Sequence, residues 1–341
     1  MSHALLQPVI VAALAVALTG CLFQEKVESF SGPTMGSTYS VKYVAGGNTI
    51  DKAQLQRGTE AILAEIDQQL STYRADSVIE TFNALPADRC MAVPNGVREL
   101  VLAGQQLSRE SNGALDLTIE PLLNLWGFGP QGRSEQVPSA EEIARVRQDV
   151  GQEHLRVDGE QLCKDRAVQV DFNSIAAGYA VDRVAAQLEA SNVHSYLVEI
   201  TGELKAKGRK PDDAPWRIAI EAPLDNERVA QRIIQLDGLA VSTSGDYRNY
   251  FERNGKRYSH TLDPQSGAPI EHHLAAVTAV DPSTLRADGL STVLMVLGPE
   301  RGLAYAAERN IAAFFVIREG QEFVSKSTEA FDELFGAGVE Q

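Results

Sequence analysis

Basic residues are scarce in this chain and are not clustered. The 341 residues include 31 Lys and Arg against 46 Asp and Glu, which gives a formal net charge of −15. Binding to a nucleic-acid backbone needs several cationic contacts along one surface. DNA and RNA are therefore poor candidate partners.

Long apolar runs are also scarce, and the longest lies at the N-terminus. It covers residues 4–18, contains Gln7 and Pro8, and is shorter than the ~20 residues that a membrane-spanning helix needs. It leads into Leu18-Thr19-Gly20-Cys21, which resembles a bacterial lipobox, where a cysteine becomes the lipidated new N-terminus. We therefore expect residues 1–20 to be a lipoprotein signal peptide, rather than a membrane span or an ordinary signal peptide.

The residues around Cys21 predict where the chain resides and where its fold begins. Lipidation of Cys21, with palmitate among the acyl chains, would anchor an exported chain to a membrane, facing the periplasm. Leu22 is not the Asp that favours retention in the inner membrane, so we expect the outer membrane. The polar residues 21–31 predict a tether, and the folded domain is expected to cover residues 32–341, starting near Gly32.

Cysteines are few, and their spacing excludes a structural zinc site. The sequence contains three, Cys21, Cys90 and Cys163, with no CxxC or Cys/His spacing of a zinc site. A disulfide between Cys90 and Cys163 is compatible with export to an oxidising compartment. Two cysteines in a large chain are more often unpaired core residues, and this is our expectation.

The remaining sequence, with 44% hydrophobic residues in the whole chain, can bury a large core. Apolar residues at helical spacing and capping signals predict helices over residues 51–70, 96–111, 139–150, 174–190 and 290–297. Short apolar runs predict strands over residues 39–43, 168–172, 196–200, 216–220, 233–236, 239–242, 258–262, 275–280 and 312–317. Because helices and strands do not alternate strictly, we expect an α+β fold with a mixed, largely antiparallel sheet and packed helices.

The first two clusters of the chain combine polar and apolar residues. Residues 113–122 include Asp116 and Thr118, and turn formation or capping is sufficient to explain them. Residues 170–182 place Asp171 just before a predicted helix, whose free backbone N–H groups would suit a phosphate. Ordinary N-capping by Asn173 or Ser174 explains this second cluster equally well.

A third cluster covers residues 242–248 and 258–269. Its serine-rich turn lacks the GxSxG frame of a nucleophile elbow, which argues against a serine hydrolase. Asp263, Pro264 and Gly267 are turn formers. His260 on a strand would by default be a structural, hydrogen-bonded histidine.

The fourth cluster covers residues 287–292, at the start of an apolar helix. Asp288 and Thr292 are four residues apart, so they share one helix face and present a carboxylate and a hydroxyl to one point. Such hard oxygen ligands suit Mg²⁺, which also takes water and phosphate oxygens. Capping of the helix by Asp288 is the competing explanation. The neighbouring His272 and His273 would point in opposite directions, and we interpret them as loop.

In their order along the chain and in their residue motifs, these clusters together resemble the ApbE family of FAD:protein FMN transferases. The resemblance includes Met35-Gly36-Ser37-Thr38-Tyr39 near the start and Ser71-Thr72-Tyr73-Arg74, followed by Ser77 and Asn83. The four clusters then follow in family order, so that the resemblance covers residues 32–315.

The resemblance implies an α+β fold characteristic of the family and a periplasmic or surface enzyme that binds FAD and Mg²⁺. It further implies transfer of FMN to a Thr or Ser hydroxyl of a respiratory membrane subunit of the Rnf or Nqr type, with release of AMP. The family's catalytic base matches His260. Its metal ligands match Ser174, Asp288, Ser291 and Thr292, and its FAD contacts match Met35, Tyr73, Ala114, Leu115, Asp116, Asp171, Ala177 and Leu262.

The sequence departs from the family pattern at Ala177, where Lys or Glu is more common. The methyl group of Ala177 offers no polar contact to FAD, which leaves two alternatives to FMN transfer. One is a non-catalytic lipoprotein that stores FAD. The other is an FAD pyrophosphatase, in which water replaces the acceptor hydroxyl.

Overall fold

The structure is a computed structural model, and it describes residues 25–46, 51–130, 132, 136–224, 229–246, 249–320 and 322–337. The predicted signal peptide and Cys21 lie outside these residues. The described helices are α1 Lys52–Leu70, α2 Val78–Asn83, α3 Asn95–Glu110, α4 Glu120–Trp126, α5 Ala140–Val146, α6 Ala176–Ala190, α7 Thr284–Glu308 and α8 Glu329–Phe335. None of them is long and apolar enough to cross a membrane.

The described strands form one large sheet and four small ones. They are β1 Lys26–Thr34, β2 Ser37–Ala45, β3 Arg89–Ala92, β4 Leu155–Asp158, β5 Gln161–Lys164, β6 Tyr196–Ile200, β7 Glu203–Lys207, β8 Trp216–Glu221, β9 Ala230–Leu236, β10 Leu239–Gly245, β11 Tyr250–Arg253, β12 Lys256–Ser259, β13 Leu262–Asp263, β14 Ala268–Pro269, β15 Leu274–Asp281, β16 Ala312–Glu319 and β17 Glu322–Ser327. The large sheet has the order β1-β2-β6-β7-β10-β15-β16-β17, and every neighbouring pair is antiparallel. The predicted α+β class is confirmed.

The large sheet separates two apolar cores. Successive residues of a strand point to opposite faces, so Phe314 and Val316 of β16 enter one core while Phe315 and Ile317 enter the other. The larger core packs the sheet against α1, α3, α6 and α7. The smaller core is covered by the β8–β9 hairpin and by α8. The candidate site lies on the helical face.

The fold begins earlier than the sequence indicated. β1 pairs with β2 along its whole length, from Lys26 opposite Ala45 to Thr34 opposite Ser37. The predicted tether over residues 21–31 is therefore wrong from Lys26 onward. β1 is an edge strand in which only Phe30 is fully buried, so its polar sequence does not show the alternation of a half-buried strand.

Cys90 and Cys163 form a disulfide, so the expectation that they are unpaired is wrong. The two residues face each other in the register of β3 and β5, within the small sheet β3-β5-β4. They are separated by 73 positions in the chain, and only the strand pairing brings them together.

Two predicted strands are also corrected. Residues 168–172 form no strand, since they make one isolated bridge from Gln169 to Ile119, and the N–H of Val170 donates to the side chain of Asn83 instead. The predicted strand over residues 258–262 is interrupted, because β12 ends at Ser259 and β13 begins at Leu262. His260 lies in this interruption.

Candidate active site

A close crossing of α6 and α7 builds the centre of the site. Gly178 lies in the first turn of α6, and a Cβ there would collide with the backbone carbonyl of Thr284 on α7. The absent side chain lets the N–H of Gly178 donate to Oδ2 of Asp288 at 2.9 Å. The glycine therefore fixes one oxygen of the Asp288 carboxylate.

Asp288 does not cap its own helix. The N-cap of α7 is Ser283, whose hydroxyl accepts from the N–H of Arg286, and Asp288 lies one turn further on. α6 has no side-chain cap of its own, because neither Asn173 nor Ser174 accepts from its first turn. The Asp288 carboxylate, which belongs to the neighbouring helix α7, caps α6 instead. The positive end of the α6 dipole stabilises it there.

Glu203 is a second carboxylate beside Asp288, and sequence reasoning missed it. Burial raises the pKa of Glu203, and burial followed by repulsion from Glu203 raises the pKa of Asp288 well above its usual range. The hydroxyl of Ser242 donates to Oδ1 of Asp288 at 3.4 Å. Nothing in the local sequence distinguishes Glu203 from an ordinary glutamate at a strand start.

A cavity of about 390 Å³ opens at these carboxylates. The carboxylates of Asp116, Asp171, Glu203 and Asp288 line it, and none of its described lining residues is Lys or Arg. Burial raises the pKa of Asp171 to about 6 and also raises that of Asp116. An anionic phosphate would meet repulsion here unless a cation accompanied it.

The side chains proposed from the sequence as metal ligands divide into two groups. Ser174, Asp288 and Thr292 line the cavity, and Asp288 and Thr292 share one face of α7 as predicted. Ser291 does not line it, because its hydroxyl is buried behind Asp288 and hydrogen-bonded with the hydroxyl of Ser244 at 2.8 Å. The described residues contain no group of three or more His, Cys, Asp and Glu arranged around one metal position.

The residues proposed to contact FAD line two adjoining cavities. Five of them line the first cavity: Ala114, Leu115, Asp116, Asp171 and Leu262. The other three, Met35, Tyr73 and Ala177, line a second cavity of about 680 Å³. Asn173, which sequence reasoning did not single out as a contact, lines both cavities. The two cavities together could accommodate an elongated ligand.

Asp116 and Asp171 are held by local turns as well as facing the cavity. Oδ1 of Asp116 accepts from the N–H and the hydroxyl of Thr118, at 2.8 Å and 2.7 Å. Asp171 accepts from the N–H of Asn173 at 2.6 Å and from its side-chain amide at 2.9 Å. Asp116 and Asp171 therefore form local turns, and the same turns orient their carboxylates at the cavity.

His260 also lines the first cavity. Its Nδ1 is 2.9 Å from the carbonyl oxygen of Asn249, which can only accept, so Nδ1 carries the proton and Nε2 is the basic nitrogen. Burial lowers the pKa of His260, which keeps the ring neutral at pH 7. The ring of Phe128 packs edge-on against it, with ring centroids 6.4 Å apart.

Comparison with known proteins shows the family to which this chain belongs. The model of the ApbE family matches residues 35–315. The chain belongs to the ApbE family. The crystal structure of the flavinyl transferase ApbE of Pseudomonas stutzeri is 70% identical, with a TM-score of 0.88 over 93% of this chain and 99% of that one.

Two curated relatives share the name FAD:protein FMN transferase. The FAD:protein FMN transferase of Haemophilus influenzae is 40% identical over 97% of this chain and 98% of its own length. The FAD:protein FMN transferase of Vibrio cholerae is 42% identical over 94% of this chain and 96% of its own length. The family resemblance and the family fold stated from the sequence are both confirmed.

Sequence reasoning missed two further residues of the candidate site. Asn249 fixes the tautomer of His260 through a backbone carbonyl, which every residue type possesses. Asn173 joins the two cavities, but its sequence position suggested only a cap. Tyr247 and Arg248, which belong to the third sequence cluster, lie outside the described residues.

Proposed function

We propose that this chain is an FAD:protein FMN transferase, which splits the pyrophosphate of FAD and attaches FMN to a Thr or Ser hydroxyl of an acceptor protein, releasing AMP. The observation that carries the proposal is one cavity lined by Asp288, Thr292 and His260, joined at Asn173 to a second cavity. Relatives at about 40% identity along almost the whole chain bear this name.

Mg²⁺ is the cation that suits this cavity. Four carboxylates and several hydroxyls offer hard oxygen ligands, while the described lining residues supply no Lys or Arg to balance a phosphate. Asp288, Thr292 and Ser174 would hold the ion. When bound, Mg²⁺ neutralises charge on the phosphate oxygens and helps to orient them.

His260 serves as the general base in this proposal. Its Nε2 lies in a neutral ring whose other nitrogen is committed to Asn249, so it can accept the proton of the incoming hydroxyl. Asp288 is restrained by Gly178 and Ser242, so its carboxylate would hold the cation in a fixed position. The oxygen of the acceptor hydroxyl then forms the new bond to phosphorus, and the AMP oxygen leaves.

FAD would extend across both cavities. Ala114, Leu115, Asp116, Asp171 and Leu262 contact one part of it, and Met35, Tyr73 and Ala177 contact the other. Tyr73 is 70% exposed at the rim of the second cavity and offers a face for an aromatic ring to stack on. Ala177 contributes only a methyl group, so polar contacts there come from neighbours such as Asn173 or Arg74.

The acceptor and the cellular location follow from the family resemblance and the N-terminal sequence. We propose a respiratory membrane subunit of the Rnf or Nqr type as the acceptor, and an exported chain anchored through lipidated Cys21 on the periplasmic side of the outer membrane. The lipobox at residues 18–21 supports the anchor.

Incubation with FAD, Mg²⁺ and an acceptor fragment that carries an Rnf-type or Nqr-type flavinylation site tests the proposal. We expect a fluorescent acceptor band that survives denaturation and disappears with Asp288→Asn. Release of AMP and FMN without labelled acceptor would instead identify a pyrophosphatase. Tight retention of intact FAD with neither product would identify a storage protein.

A further inference from the structure

Glu203 and Asp288 are two acidic side chains that line one cavity, Asp288 buried and Glu203 partly buried. Glu203 lines the cavity at the start of β7, and Asp288 lines it from α7. The hydroxyl of Ser242 donates to Oδ1 of Asp288 at 3.4 Å, and it also lowers the pKa of Glu203. A neutral hydroxyl balances no charge, and the described lining residues of the cavity include no Lys or Arg, so the pair lacks a positive partner there.

The nearby lysine of β7 does not supply that partner. Lys205 lies two residues after Glu203, on the same face of the strand. Its ammonium group is already bound to the Asp182 carboxylate at 2.8 Å and to the carbonyl oxygen of Pro282 at 2.8 Å. Asp182 in turn holds the first turn of α7 through Ser283 and Thr284. Lys205 therefore stabilises the helix crossing rather than the cavity.

A strained turn holds the Glu203 carboxylate in place. Thr201 has φ 56°, a left-handed conformation that is unfavourable for a β-branched residue, and Gly202 follows with φ 118°. In this conformation the Thr201 hydroxyl donates to Oε2 of Glu203 at 2.7 Å. A β-branched residue held in an unfavourable conformation is a common feature of functional sites, and here its hydroxyl orients a carboxylate beside the proposed cation site.

We propose that Glu203 supplies a second carboxylate ligand of the cation, opposite Asp288. This rests on the proposed function, because the cation is the one that would accompany FAD. A divalent ion between the two carboxylates would remove their mutual repulsion and complete the oxygen ligands that Asp288, Thr292 and Ser174 begin. Glu203 thereby sets the affinity of the site for the ion before any phosphate arrives.

Cation binding without FAD tests this role. Titration of the metal-free protein with Mg²⁺ by calorimetry compares the unaltered chain with Glu203→Gln, which keeps the shape and removes the charge. We expect Mg²⁺ affinity to fall at least about tenfold. Glu199→Gln is the matched control, because Glu199 is an exposed carboxylate near Glu203 on the neighbouring strand β6, and it should change affinity less than about twofold.

Thermal unfolding gives a second readout that does not need activity. In EDTA, Glu203→Gln should unfold at a higher temperature than the unaltered chain, because the repulsion between the Glu203 and Asp288 side chains is removed. In Mg²⁺ the order should reverse. Glu203→Asp, which keeps the charge on a shorter side chain, should lose Mg²⁺ affinity without gaining stability in EDTA.

The outcomes separate this inference from the proposed function. If the unaltered chain binds Mg²⁺ and Glu203→Gln binds it equally well, Glu203 is not a ligand, while the transferase proposal stands. If Asp288→Asn also leaves Mg²⁺ binding unchanged, the cation site lies elsewhere and both are overturned. Weak binding by Glu203→Gln together with normal binding by Glu199→Gln supports the inference.

Discussion

The two ring nitrogens of His260 differ in their hydrogen bonding. The Asn249 carbonyl holds Nδ1, so the orientation of the ring is fixed, and Nε2 is the nitrogen that can accept a proton. The same backbone carbonyl also accepts the N–H of His260 at 3.1 Å. At the scale of single residues, the orientation of the proposed base depends on a backbone atom whose position the whole fold determines.

Replacing His260 by Ala should remove the base while leaving the ligand contacts in place. We expect the rate of FMN transfer to fall at least about 100-fold, the usual contribution of a general base, with Mg²⁺ and FAD affinities within about threefold. Single-turnover labelling and equilibrium binding measure the two quantities. His194→Ala, at an exposed position away from the cavity, is the control and should retain full activity. Full transfer by His260→Ala would remove His260 from the mechanism.

The pH dependence of transfer should report the environment of His260. Burial lowers its pKa below the usual 6.5, so the base is already neutral at pH 7, and activity should be lost only as pH falls through that lowered value. Asp171, whose pKa is raised to about 6, also titrates below pH 7, and Asp171→Asn separates its contribution from that of His260. A profile of kcat/KM that is still rising above pH 7 in both proteins would contradict this assignment.

At the scale of elements, the crossing of α6 and α7 determines the position of Asp288. Helices usually pack about 8–10 Å apart, and contact between their backbones requires a glycine. Gly178 provides this contact, and Asp182, one turn later on α6, binds the first turn of α7. The residues of α7 that we propose as cation ligands are therefore positioned by contacts with a second helix.

Gly178→Ala should disturb this crossing. The added methyl meets the backbone of Thr284, which cannot rotate away, so we expect a loss of about 1–3 kcal/mol in unfolding free energy and weaker Mg²⁺ binding. Chemical denaturation and calorimetry measure the two effects. Gly58→Ala on α1 is the matched control, because its methyl meets only the flexible end of Gln187. Unchanged Mg²⁺ affinity in Gly178→Ala would show that the crossing does not position the site.

The disulfide should stabilise the small sheet without contributing to the reaction. Cys90 and Cys163 join β3 to β5, and no residue of these strands lines either cavity. Replacing both by Ser should cost about 2–5 kcal/mol of stability, because a long loop in the unfolded chain is released. Transfer at 25 °C should persist. Lost activity in a variant that is still folded would place the disulfide in the functional unit.

The periodicity of apolar residues predicted many of the helices and strands, but few of the contacts between distant parts of the chain. α1 and α3 were predicted within two residues of their observed ends, because each buries one regular apolar face. The edge strand β1 was missed because it buries too few side chains to alternate. Glu203 and the Cys90–Cys163 pair were missed because their meaning depends on residues from distant parts of the chain.

At the scale of the whole molecule, the negative charge of the chain extends into the cavity where we propose that a phosphate binds. The chain carries a net charge of −15, and four carboxylates line the first cavity. The site residues that the family resemblance named line one or other of two adjoining cavities, except Ser291, which lines neither. Their roles stay predictions, and the proposed cation would be the group that links the helices, the strands and the ligand.

The mass of the acceptor after reaction tests the central claim most directly. An acceptor fragment incubated with the chain, FAD and Mg²⁺ should gain the mass of one FMN less one water, with one AMP released per adduct formed. The mass gain should be absent in EDTA and with Asp288→Asn. AMP released in large excess over adduct, or an acceptor of unchanged mass beside consumed FAD, would contradict transfer to a protein hydroxyl.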